Sequence, residues 1–171
     1  MASVSSFVCS FPCVAFSGSR LSGSAAAVAA ASFLPAVASF SGAVGVGCAS
    51  GVDSLVRSAF PSAMVFSVQP PVSRAAFAAR SARLVRWVAS SSGLLVVFPS
   101  AACPAGVAPS ASFRGFGSGS WGSAALAVGL GVPVLLFVPA VLGSAFPAPS
   151  ALASRFRLLG SVAAGSWWLA R

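Results

Sequence analysis

Isoleucine, threonine, asparagine, lysine, histidine, tyrosine and glutamate never occur in this chain, and Asp53 is its sole acid. With them go nearly all the side chains whose pKa can be tuned for proton transfer near neutrality. Paired-carboxylate chemistry is excluded because Asp53 has no second acid to work with. Walker-type phosphate binding is excluded because it requires a lysine. A zinc site needs histidines or close cysteine pairs, and Cys9 and Cys13 supply half of one at most. With Cys48 and Cys103 they are too few and too spread for a disulfide framework, leave the redox compartment open, and read as inert apolar residues. The expectation is a protein that is not an enzyme, with no catalytic, cofactor-binding or metal-binding residues.

Charge is the second deficit. Charged residues make up 6% of the 171 positions and hydrophobic ones 57%, against roughly 25% charged in an ordinary soluble domain. Serine, alanine and glycine would have to clothe any folded surface almost alone. The absences also follow the genetic code more closely than physics, since valine and isoleucine, or arginine and lysine, overlap in structural use. Every missing residue type has adenine at its first or second codon position. Apart from Met1, Met64, Asp53 and Gln69, every residue present can be encoded without adenine there. Stop codons all contain adenine, so an adenine-poor strand stays open by chance. This pattern points to the product of an uncharacterised or spurious open reading frame with no identifiable biochemical function.

What is present divides the chain into five stretches. Residues 1–73 are an Ala/Ser-rich low-complexity region whose acid-free opening has the look of a transit peptide, with Arg20 as its first charge. Ala25–Ala31 suits a helix that buries little, and Asp53, four residues before Arg57, suits the cap of a short turn. Residues 74–89 form a basic amphipathic helix capped by Ser73, with Arg80, Arg83 and Arg86 on one face and Phe77, Leu84 and Val88 on the other. Residues 90–123 read as a Pro/Gly/Ser-rich linker interrupted by the apolar run 94–98, of strand-like or aggregation-prone composition.

Residues 124–143 are uncharged and would reach about 30 Å as a helix, the thickness of a bilayer's hydrocarbon core. They are the candidate transmembrane helix, kinked at Pro133 and Pro139. That reading expects carbonate-resistant membrane fractionation, lost when Leu135 and Leu136 become arginine. Residues 144–171 are a short tail ending in Trp167, Trp168 and Arg171, which resemble an interfacial anchor. Gly117, Gly119 and Gly122 match G-x-G-x-x-G, but no convincing strand precedes them and no acid follows, so low complexity accounts for the match.

Together these features predict a largely disordered, low-complexity chain with isolated α-helices and no compact globular core. Arg80, Arg83 and Arg86 are the candidate contacts to an anionic surface, and the lipid bilayer is the expected partner. No specific nucleic acid, no small-molecule substrate and no cofactor are expected. Scattered arginines give a net charge of +9 and salt-sensitive adhesion to polyanions. The expected location is a membrane, with organelle targeting or no stable expression as alternatives; the alternative functions are a small membrane-associated non-enzymatic protein anchored by 124–143 and an organelle-targeted or polyanion-binding basic protein.

Overall fold

Strands in a parallel sheet covered by helices on both faces are buried on both sides, so they read as unbroken apolar runs. A computed structural model, describing residues 4–171, shows this arrangement. The chain runs α1 (Val4–Val8), β1 (Cys13–Gly18), α2 (Ala25–Phe33), β2 (Ala43–Gly47), α3 (Val52–Ala59), β3 (Met64–Phe66), α4 (Arg74–Ser90), β4 (Leu94–Phe98), α5 (Gly119–Gly129), β5 (Val134–Pro139), α6 (Ser150–Ala153), β6 (Phe156–Val162) and β7 (Gly165–Ala170). The seven strands lie in the order β3-β2-β1-β4-β5-β7-β6. The pairings from β3 through β5 are parallel, and β7 and β6 add an antiparallel hairpin.

Two cores flank the sheet. On one face the alanines of α2 and the valines of α3 pack on Val14, Phe16, Val46, Leu94, Val96 and Leu135. On the other, α4 and α5 cover Ala15, Leu95, Val97, Val134 and Leu136. Alternate residues of β5 therefore serve opposite cores, as a period of two demands. Serines begin the main helices: the side chains of Ser24, Ser73 and Ser118 accept the N–H of Ala27, Ala76 and Trp121, each offsetting an orphaned donor.

These features correct the expectation of a largely disordered chain without a core. The charge deficit was given too much weight, because burial of apolar surface drives folding and surface charge contributes little to it. Two helical layers let valine, leucine and alanine bury each other, and serine suffices at the caps.

The membrane-span expectation fails for a local reason. The stretch 124–143 is half helix and half strand: α5 stops at Gly129, Gly131 adopts φ 74°, and Val132 N–H returns to the Ala127 carbonyl at 2.9 Å. Leu126, Leu135 and Leu136 are fully buried in the protein, so they have no face to offer lipid. No described helix is long and apolar enough to cross a membrane. The bilayer as partner and the membrane as location lose their basis together. Residues 1–3 of the transit-like opening lie outside the described residues; Val8 and Cys13 to Phe16 of the same opening are buried in the core.

Candidate anion-binding crevice

After β1 the chain crosses to the α2 face, and after β4 it crosses to the α5 face. Where two neighbouring parallel strands send their connections to opposite sides, a crevice opens beyond their carboxyl ends. A cavity of about 680 Å³ occupies that place, walled by the end of β1, the first turns of α4 and α5, and the loop before α5.

The β1 wall is Gly18-Ser19-Arg20. Ser19 is fixed from both sides: its N–H donates to Phe98 O at 3.0 Å and its carbonyl accepts from Val52 N at 2.9 Å. This ties the end of β4 to the start of α3 and holds Arg20 at the rim. The Arg20 guanidinium lies 3.8 Å from the centre of the Phe77 ring, a cation–π contact that keeps the charge beside the opening. Arg74, exposed at the first position of α4, stands at the positive end of that helix with no acid in the turn. A cation there is unfavourable by itself and becomes favourable once an anion occupies the cavity.

The α5 wall is made by the glycine motif. Phe116 and Gly117 both take left-handed backbone conformations, at φ 45° and 93°, and turn the loop sharply into the cap residue Ser118. A Cβ at Gly122 would come within 2.7 Å of Phe113 Cζ, so the third glycine lets the loop pack on the helix. At Gly119 a Cβ would meet nothing within 4 Å. The amides of Gly119 and Ser120 belong to the first turn of α5, where no intrahelical acceptor exists, and both residues line the cavity, an arrangement suited to anions.

Asp53, in the first turn of α3, is not part of the cavity wall. Its carboxylate accepts from Arg80 Nη1 at 3.1 Å and from Ala49 N at 3.1 Å, and a Cβ at Gly47 would overlap the Arg80 guanidinium. Burial raises the Asp53 pKa above the ordinary carboxylate value, against the downward pull of Arg80, the Ala49 N–H and Arg57. The one acid of the protein is thus engaged, and no acidic side chain lines the cavity.

The residues singled out from sequence are dispersed. Arg80 is buried in that ion pair, Arg83 donates to the Ser67 carbonyl, and Arg86 is exposed further along α4. The three do not present one surface. Trp167 packs among Phe33, Phe137 and Phe98 at 4.8, 5.0 and 5.7 Å; Trp168 lies against Phe146 and donates to Ser166 Oγ, and the Arg171 guanidinium lies over the Phe7 ring. All four cysteines are free. Burial pushes the Cys13 thiol up and the Cys103 thiol to about 12, away from the reactive thiolate range. Among the described residues no group of three His, Cys, Asp or Glu could hold a metal.

Sequence reasoning missed Arg20, Arg74, Ser118, Gly119 and Ser120. The G-x-G-x-x-G spacing was their one signal. It was discounted because no convincing strand precedes it and no acid follows; the structure shows why, since β4 ends at Phe98, well before Gly117.

No protein-family model and no curated protein matches the chain. In three dimensions it is similar to DNA processing protein A from Helicobacter pylori, whose structure is described for its single-stranded DNA binding mode. The TM-score is 0.50 at 18% identity, covering 75% of this chain and 66% of that one. At that identity the similarity concerns the fold. Together with the two packed cores it overturns the reading as a spurious, functionless product, and it removes the ground for excluding nucleic acid as a partner.

Proposed function

We propose that the protein is a binding protein, not an enzyme, that holds a nucleotide phosphate of single-stranded nucleic acid in the crevice between β1 and α5. The observation that carries this reading is the composition of the wall: Arg20, Arg74, several serines and the first turn of α5 line the cavity, and no carboxylate side chain is among them. Such a donor-only wall recognises an anion. Phe116, 59% exposed at the rim, adds a ring on which an unstacked base can lie. No group in the crevice can exchange a proton near neutrality, which favours binding over catalysis. The single-stranded DNA binding described for the structurally similar protein fits this reading.

Fluorescence anisotropy with a labelled oligothymidylate tests it. Arg20→Ala and Arg74→Ala should each weaken binding about tenfold or more, the worth of a charge-assisted hydrogen bond. Each should also make affinity less steeply dependent on salt. Arg155→Ala and Arg157→Ala, exposed at the far edge of the sheet, serve as controls for general charge loss. Equal losses in all four variants would mean adhesion without a site and would end the proposal.

A further inference from the structure

Ser81 lies two turns along α4 from Arg74, on the helix face shared with Phe77 and Ala78, and all four residues line the crevice. It is 7% exposed, yet its hydroxyl has no hydrogen-bond partner among the described residues. A helical serine ordinarily returns its hydroxyl to a carbonyl of the preceding turn; Ser81 does not, and its oxygen stays open to the crevice rather than sealed in the core. An acceptor from outside the chain would satisfy it.

We infer that the crevice takes a terminal phosphate monoester, from a strand end or a mononucleotide, rather than a phosphodiester within a strand; this rests on the crevice being a phosphate site. Depth is the first reason. Seven residues of helix separate Arg74 from Ser81, about 10 Å of travel from rim to interior. A phosphodiester must let the chain enter and leave, whereas a monoester ends the chain and can go in first. Donor number is the second. A diester offers two charged oxygens, and a monoester three with up to twice the charge. Ser81, Ser19, Ser120 and the amides of Gly119 and Ser120 suit the third oxygen and larger charge of a monoester. Arg20 and Arg74 are then left at the rim for the next phosphate of a strand.

The test compares the full chain's affinity for one oligothymidylate carrying a terminal phosphate at either end, hydroxyls at both, or closed into a circle. A phosphate-ended strand should bind about tenfold more tightly than the hydroxyl-ended one or the circle. Ser81→Ala should remove most of that preference with an unchanged melting temperature, and Ala78→Leu, which fills the passage, should abolish it. Thymidine monophosphate competing at concentrations matching the strand's Kd assigns the phosphate to a free nucleotide; competition by phosphate-ended strand alone assigns it to a terminus. A circle bound as tightly as the phosphate-ended strand overturns this inference and leaves the proposed function standing. If none of the ligands binds, both fall.

Discussion

Replacing Asp53 by alanine will cost the fold about 3–5 kcal/mol, the usual consequence of removing one partner of a buried ion pair. Arg80 is 6% exposed and its Nε already lacks a partner. Without Asp53 its charge would remain in the interior of a protein that owns no other acid. Burial raises the Asp53 pKa despite Arg80 beside it, and in a buried pair desolvation commonly offsets the attraction. Removing both charges should therefore be far less harmful than removing one. Urea denaturation of Asp53→Ala, Arg80→Met and the double variant measures this. The double variant should recover most of the loss; if Asp53→Ala alone unfolds like the parent, the account of the pair is wrong.

Arginine at Leu135 or at Leu136 will leave no cooperatively folded protein. Both residues are 0% exposed on β5, which lies between β4 and β7, and they face opposite cores. Either substitution removes a packed leucine and buries a charge with no counter-ion within reach, at several kcal/mol for the charge alone. A domain's whole stability is about 5–15 kcal/mol. Val141→Arg, at a position 77% exposed just beyond the strand, should be silent. Circular dichroism and thermal melts distinguish the cases, and a Leu136→Arg protein that melts like the parent would contradict the two-core architecture.

The same residues show what could be read from sequence. Leu94–Phe98 and the leucines after Pro133 stand out as apolar runs, but an isolated run does not reveal that four strands and two helical layers cover it. One long helix was read straight through Gly129 and Gly131, with a kink at Pro133. In fact they end a helix and begin a strand, and only the neighbouring β4 and β7 make the strand the better outcome. β1 and β2 were hidden because glycine and serine dilute their valines. The pairing of Asp53 with Arg80 spans 27 residues, beyond the helical spacing that points to Arg57, so no local rule finds it. The crevice was illegible for a similar reason: β1, α4 and α5 contribute to it from well-separated parts of the chain, and a charge-poor composition drew attention away from the few arginines that the fold gathers.

Trp121 is the third residue of α5, 1% exposed, with its indole N–H held by Ala101 O at 2.8 Å. No tryptophan lines the cavity itself, but Trp121 follows the lining residue Ser120 directly in α5. An anion settling on the amides of Gly119 and Ser120 alters the electric field across that rigid indole. A chromophore thus sits one residue behind the crevice wall, and occupancy can be followed by intrinsic emission with no dye attached.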